Sequence, residues 1–386
     1  MKYRYFLFIL IGLLSTACQK EAPHTSFPCK RVIIAYLAAD NNLSGECERK
    51  IEALCSGMQS LESIRTRLFI YYDQGSKASL LKVSNVLTTI QTTTIAEYTD
   101  PDSSNPLFMQ SVLERVIHSC PAEHYGLICF SHGTAWLPAN SPKRSFSFKQ
   151  EATRTVINDS NGEMELTDFA AYLPMPKGEK WEFILFEECY MGSVEVAYEL
   201  KDKTEVLIAS PTEILSPGME AIYPIALPYL LSNTEGRFER FAQSYFDHWN
   251  SQNGDYRSAT ISVIHTEALP QLANLARTAF LNHEFTDEDL SQLQHFDRRI
   301  QPLFFDLKES LLLADETLEP AADEIFRQIV TYAAATPQFI PGEAYGFDIH
   351  TCCGLSTYLM KKGNPQQYQH YNLTSWYRDV YSKQTD

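Results

Sequence analysis

No CxxC pair and no Cys/His spacing suited to zinc occurs in this chain, although it holds nine cysteines in 386 residues, and a structural zinc module is thereby excluded. Basic residues are in short supply. Lys and Arg number 32 against 48 Asp and Glu, for a net charge of −16 and a pI near 5.1, so the chain lacks the electrostatic grip that nucleic acid or anionic lipid requires. A cationic partner or substrate suits that balance better. Internal repeats, coiled-coil heptads and low-complexity tracts are missing too. Beyond the N-terminus no run is apolar enough to consider as a membrane segment, and mean hydropathy is −0.24. What is present is a body that is 44% hydrophobic and 21% charged. That length and composition support one large or two ordinary cores and exclude both disorder and a disulfide-stapled miniprotein.

The first twenty residues, MKYRYFLFILIGLLSTACQK, place Lys2 and Arg4 ahead of an apolar run at 6–14 and small residues up to Cys18. This is the pattern of a secretory signal, too short to span a bilayer comfortably. Ser15, Thr16 and Ala17 followed by Cys18 resemble the lipobox of bacterial lipoproteins, in which the cysteine becomes the lipidated first residue; Ser15 stands where an aliphatic residue is usual. The expectation is an exported protein tethered to the bacterial envelope through a lipid on Cys18, at the outer membrane, with residues 18–29 as tether. Ordinary cleavage to a soluble secreted protein is the alternative. Loss of residues 1–17 leaves 30 basic and 48 acidic residues, or −18.

Setting Cys18 aside leaves eight cysteines, an even number. Export makes disulfides conceivable, but Cys352–Cys353 is a vicinal pair poorly placed for mutual bridging. Cys47 and Cys55 fall on a helical pattern where burial as small hydrophobes is the default. At most one or two disulfides are expected.

The apolar runs at 31–39 (RVIIAYLAA), 67–73, 125–131, 181–188 and 206–210 read as strands buried on both faces. Helical patterns at 44–64, 106–118, 166–173 and 191–200 alternate with them, and 80–95 reads as a less regular strand pair. This order predicts a three-layer α/β sandwich around a mainly parallel sheet. From about 236 the patterns are mostly helical (237–252, 272–281, 289–314, 321–335), with strand-like runs at 259–265 and 354–360. A boundary near 235 would separate a core at 30–235 from a largely helical C-terminal region.

Ligands of an open parallel sheet collect beyond the carboxyl ends of its strands. Three such ends carry polar or reactive groups: Asp40-Asn41-Asn42, Ser131-His132-Gly133 and Glu187-Glu188-Cys189. His132 and Cys189 could meet as base and nucleophile, and Gly133 would let backbone N–H groups approach an oxyanion. A hydrogen-bonded loop histidine and a packing cysteine are the plainer readings. Cys129 is a rival nucleophile by proximity, but it lies inside the strand, where a thiol stays protonated. In a strand, residues i and i+2 share a face, so Glu187 is expected beside Cys189 and Glu188 on the other side. An unmatched carboxylate there would oppose thiolate formation. Either a substrate cation or a protein Arg or Lys must match it.

With YLAADNNL at 36–43, SHGTAW at 131–136, FEECYMGSVEVAYEL at 186–200 and IASPTE at 208–213, the chain resembles the clostripain-like cysteine peptidases over roughly 32–221. GLSTYL at 354–359 is a fainter echo. The resemblance implies a caspase-like fold, with His132 as catalytic histidine, Cys189 as nucleophile, and the N–H groups of Gly133 and Cys189 as oxyanion donors. It places Glu187 where the family typically has an aspartate that selects a basic side chain at P1, the residue whose carbonyl is attacked. Asp40, Asn41, Asn42, Ser210, Thr212 and Glu213 are expected as pocket walls.

The activity implied is endoproteolysis after Lys or Arg through a covalent acyl-enzyme. Relatives are often matured by cleavage between the His and Cys segments, where this chain carries Lys143, Arg144, Lys149 and Arg154 within an exposed loop at 138–156. The resemblance also admits a role for Ca²⁺, although no EF-hand motif occurs. A monomer is expected, with protein or peptide substrates, no nucleic-acid partner, no required cofactor, and membrane contact through the lipid alone. The competing function is a catalytically silent binding lipoprotein that has kept the fold.

Overall fold

Apolar runs without alternation belong at the centre of a sheet covered on both faces, and the computed structural model of the chain, which describes residues 29–59, 65–86, 89–138, 156–361 and 370–382, has that arrangement. Strand β1 (Cys29–Leu37) leads to α1 (Cys47–Gln59), β2 (Thr66–Asp73), β3 (Lys77–Val86), β4 (Thr89–Thr99), α2 (Pro106–Ser119) and β5 (Ala122–Phe130). A small hairpin, β6 (Ile157–Asp159) and β7 (Gly162–Met164), precedes α3 (Leu166–Tyr172), β8 (Phe183–Glu187), α4 (Val194–Glu199) and β9 (Val206–Ala209). The chain continues through α5 (Tyr223–Leu231), α6 (Arg237–Asn250), β10 (Thr260–His265), α7 (Leu269–Phe280) and α8 (Asp287–Gln292). Next come β11 (Phe305–Asp306), α9 (Leu307–Ala314), α10 (Glu319–Ile329) and β12 (Val330–Ala335). Short strands β13 (Gln338–Phe339), β14 (Phe347–Asp348) and β15 (Ser356–Thr357) and helix α11 (Ser375–Val380) complete it.

Nine strands join in one sheet, in the order β12-β10-β9-β8-β5-β1-β2-β3-β4. The five central strands β9, β8, β5, β1 and β2 are parallel, and antiparallel pairs close each edge. Alternate residues of β1 feed two cores. Val32, Ile34 and Tyr36 pack with Val112 of α2, Phe169 of α3 and Val196 of α4. Ile33, Ala35 and Leu37 pack with Leu54 of α1, Leu227 of α5 and Phe241 of α6. Each fully buried aliphatic or aromatic side chain contributes about 1.5–3 kcal/mol of transfer free energy. The three-layer α/β reading therefore stands.

The C-terminal third departs from its helical reading. Residues 321–335 split, because Val330, Thr331 and Tyr332 favour extended backbone and β10 offers an open edge; β12 pairs there antiparallel. Residues 289–314 form two short helices separated by a loop and β11. Only Ser356–Thr357 of the 354–360 run is strand, paired with β11. Since β10 and β12 extend the same sheet, the region beyond 235 is woven into the architecture rather than laid over it. The pair expected to be less regular, β3 and β4, forms a long hairpin whose register shifts between Leu80 and Leu81.

The signal segment, Cys18, the tether as far as 28 and residues 139–155 of the basic loop lie outside the described residues. No helix among the described residues is long and apolar enough to cross a membrane. The eight described cysteines are free thiols, with Cys29 Sγ and Cys120 Sγ 3.1 Å apart.

Candidate active site

Parallel pairing of β5 with β8 sets Cys129 opposite Phe186 and Phe130 opposite Glu187. His132 and Cys189 each lie two residues past these last paired positions, at the same end of the two neighbouring parallel strands. Backbone contact confirms the approach. A Cβ added to Gly133 would come within 2.7 Å of the Cys189 carbonyl oxygen and 2.9 Å of Glu188 Cβ, so only glycine fits. From the far side, Asn42 Oδ1 lies 2.6 Å from His132 Nε2. An amide oxygen only accepts, so the neutral ring carries its proton on Nε2 and keeps its lone pair on Nδ1. Asn42, expected as a pocket wall, is thus in contact with the histidine itself.

The loop that presents Asn42 is pinned. Asn41 Nδ2 donates to Asn158 O at 2.9 Å, and Asn41 Oδ1 accepts from Leu43 N at 2.8 Å. Asp40 accepts from Ser160 through both its backbone and its carboxylate. Asn41 and Asp40 thus hold the loop in place.

Cys189 sits one turn past the end of β8. Its Sγ accepts from Ile214 N at 3.3 Å. Tyr190, next in the chain, takes a left-handed φ of 63°, and its N–H donates to Thr212 O at 2.9 Å. Ser210, Thr212 and Thr260 form a buried hydroxyl cluster, with Ser210 Oγ 2.8 Å and Thr212 Oγ1 2.9 Å from Thr260 Oγ1. Ser210 and Thr212 are fully buried, so they brace the segment that covers the thiol and do not form pocket walls. Glu213 does stand beside the site. Tyr190 OH donates to its Oε1 at 2.8 Å, and Arg298 donates to its Oε2 from Nη2 at 2.8 Å and from Nε at 3.1 Å.

Both reactive groups are held neutral. Burial pushes the Cys189 thiol up to about 12, with the Glu213 charge adding to it, and burial drives His132 down to about 4. Neither ring nor thiol is charged at neutral pH in this state.

Glu187 does not face a pocket. Its carboxylate accepts from Lys50 Nζ of α1 at 2.5 Å, Met219 N at 2.5 Å and Tyr223 OH at 2.7 Å, and both members of the ion pair are fully buried. The reading of Glu187 as the selector of a basic side chain gives way to that of a structural carboxylate matched by a protein lysine. Lys50→Met, which strands the Glu187 charge, is expected to destabilise the fold by about 3–5 kcal/mol in chemical denaturation, whereas the paired Lys50→Met/Glu187→Leu variant recovers most of the loss. Glu188, its neighbour, is buried with neither carboxylate oxygen hydrogen-bonded. Burial and the Glu187 charge raise its pKa well above the ordinary carboxylate range, so it is a neutral acid.

Among the described residues no group of three or more His, Cys, Asp or Glu could hold a metal ion. Asp40, Asp73 and Asp159 accept hydrogen bonds from Ser160, Ser103, Gly75 and Asn161. Burial lifts Asp73 to about 6.

The C-terminal region completes the nucleophile's support. Ser356 N donates to Gly192 O at 2.9 Å, and buried Glu195 accepts at Oε1 from Thr357 Oγ1, Tyr358 N and Tyr371 OH at 2.9–3.0 Å. The GLSTYL echo is thus the clamp on the loop that follows Cys189. Lys50, Tyr190, Ile214 and Arg298 were missed by sequence reasoning; nothing local marks them, because their partners lie far off in the chain.

Adjacent strand ends that carry thiol and imidazole on a three-layer α/β sandwich place the chain among the cysteine peptidases. A sequence model of the clostripain family matches residues 35–310, and the chain belongs to that family. Among solved structures it is similar to a secreted C11 cysteine protease from Bacteroides thetaiotaomicron in complex with an irreversible peptide inhibitor, at 25% identity and a TM-score of 0.78 over 91% of this chain and 98% of that one. An inactive zymogen C11 protease from Parabacteroides distasonis is similar at 27% identity and 0.78, over 92% and 99%. A clostripain from Bacteroides thetaiotaomicron in complex with the peptide inhibitor BTN-VLTK-AOMK is similar at 25% and 0.51, over 57% and 96%. None of the curated proteins compared matches.

Proposed function

We propose that the chain is an exported endopeptidase that cuts after lysine or arginine, with Cys189 as nucleophile and His132 as its base. The observation that supports this reading is the close approach of the two segments, where a Cβ on Gly133, the neighbour of His132, would lie 2.7 Å from the Cys189 carbonyl oxygen. In the reaction, His132 Nδ1 takes the thiol proton as Sγ bonds to the substrate carbonyl carbon. N–H groups of Gly133 and Cys189 receive the oxyanion. The imidazolium then protonates the amine as the C–N bond breaks, and water, deprotonated by the same nitrogen, releases the acyl group. Asn42 keeps the ring turned so that Nδ1 serves the thiol. Asn42→Ala is expected to lower kcat/KM about tenfold, the effect of losing roughly 1.4 kcal/mol of orientation, with Asn42→Gln restoring part of it.

Preference for a basic P1 side chain is supported by the lysine that ends the VLTK peptide bound to one relative and by the Glu213 carboxylate next to Ile214, which touches the sulfur. A fluorogenic panel with Arg, Lys, Asp or Ala at P1 tests it. Turnover confined to Arg and Lys is expected; equal turnover of Ala would overturn the specificity, and no turnover of any peptide would favour the silent binding lipoprotein. Export is supported by the secreted relative and by the N-terminal signal pattern, and anchoring by the lipobox-like Cys18. Self-cleavage at Lys143, Arg144, Lys149 or Arg154 would mature the enzyme; an active mature protein that stays uncleaved would refute that requirement.

A further inference from the structure

The two carboxylates nearest the nucleophile's strand end and cover are both already matched by protein cations. Lys50–Glu187 is sealed, with both side chains at 0% exposure and two further donors on the carboxylate. Arg298–Glu213 is less deeply sealed, at 8% and 16% exposure. Opening the sealed pair would leave a charge with no water to take it up, whereas the other borders solvent. Of the two pairs, Arg298–Glu213 is therefore the one that a substrate cation could open at lower cost.

Arg298 is not a stray surface residue. It is held by a loop built around the buried Asp297, whose carboxylate accepts from Arg299 N, Leu303 N and Phe304 N at 3.0, 2.7 and 2.9 Å. The Phe304 ring in turn stacks on Tyr190, with centroids 4.9 Å apart and planes 6° from parallel. Tyr190 adjoins the nucleophile and holds the other oxygen of Glu213. The C-terminal region thus delivers a guanidinium, pre-positioned, to the carboxylate next to the segment that covers the thiol.

We propose that Arg298 is an internal stand-in for the P1 side chain: it occupies Glu213 in the resting enzyme, and a substrate arginine or lysine binds by taking that carboxylate from it. This rests on the basic P1 reading. A tethered cation competes at millimolar or higher effective concentration, so apparent affinity falls by the fraction of time Glu213 is free. Arg298 would then set how basic, and how well presented, a P1 residue must be.

The test compares kcat and KM for peptides with Arg or Ala at P1 in the wild type, Arg298→Ala, Glu213→Gln and the double variant, each checked by thermal melting. Arg298→Ala is expected to lower KM for the Arg peptide about five- to tenfold and to raise the Arg-to-Ala ratio of kcat/KM. Glu213→Gln should depress that ratio, and in its background removal of Arg298 should have no further effect. Arg298→Lys, which keeps the charge but not the two-nitrogen contact, should fall between and serves if the alanine variant does not fold. A wild type that prefers Arg over Ala, with a ratio that is unchanged or lower in Arg298→Ala and Arg298→Lys, would overturn the proposal and leave the P1 reading intact. A wild type with no preference for Arg would overturn the P1 reading itself.

Discussion

Replacing Cys189 with alanine is expected to reduce peptide hydrolysis by about four to six orders of magnitude, while the thermal melt shifts little. The size follows from what the sulfur does. An acyl-enzyme needs an atom that both attacks and leaves, and where nucleophile and base act as one unit, removing either costs about as much as removing both. His132→Ala is expected to fall by a similar factor, and the double variant no further. Cys129→Ala supplies the contrast. Its thiol is buried within β5, and burial holds it well above the ordinary cysteine range, so it is not available as a nucleophile. A Cys189→Ala variant that retained turnover, or a Cys129→Ala variant that lost it in a folded protein, would reassign the nucleophile. Should the wild type itself turn over nothing, the binding lipoprotein becomes the better account.

The central strands were legible because continuous apolar runs have one economical home, a sheet covered on both faces. The His132 and Cys189 segments were legible because their motifs are local. What failed was reasoning that assumed a local rule held one residue too far. The i, i+2 argument put Glu187 beside Cys189, but β8 stops at Glu187 and the chain turns through a left-handed Tyr190, so the cysteine has left the pleat. Glu187 stays on the strand face toward α1 and meets Lys50, a partner 137 residues away. Arg298 reaches Glu213 across 85 residues. Periodicity has no term for such pairs. Likewise, the alanines after Val330 read as helix until β10 offered them an edge.

Reactivity of the thiol gives the second large effect. With Cys189 near 12 and His132 near 4, the resting pair is thiol and neutral imidazole, not a thiolate–imidazolium pair. At pH 7.5 the thiolate fraction is then about 3 × 10⁻⁵, against about 10⁻¹ for an unperturbed cysteine of pKa about 8.5. A more basic thiolate is intrinsically more nucleophilic, with a Brønsted slope of about 0.4–0.5, which recovers about 40-fold. The net expectation is alkylation by iodoacetamide about 10²-fold slower than a free thiol, measured in a variant without the other cysteines' exposed thiols or by site-resolved mass spectrometry. The rate should climb about tenfold per pH unit from 7 to 10 with no plateau. An ion pair would instead give fast alkylation and a plateau above the lower pKa, and that result would exclude the neutral resting site. Overall shape does not decide the matter, because the inhibitor-bound relative and the inactive zymogen match this chain with the same TM-score of 0.78. Desolvation is what holds both groups neutral, so the charge state must change where water or a substrate cation enters, at the Ile214 and Glu213 cover. Adding a peptide with arginine at P1 and an uncleavable bond should therefore alter the alkylation profile, whereas its alanine counterpart should not.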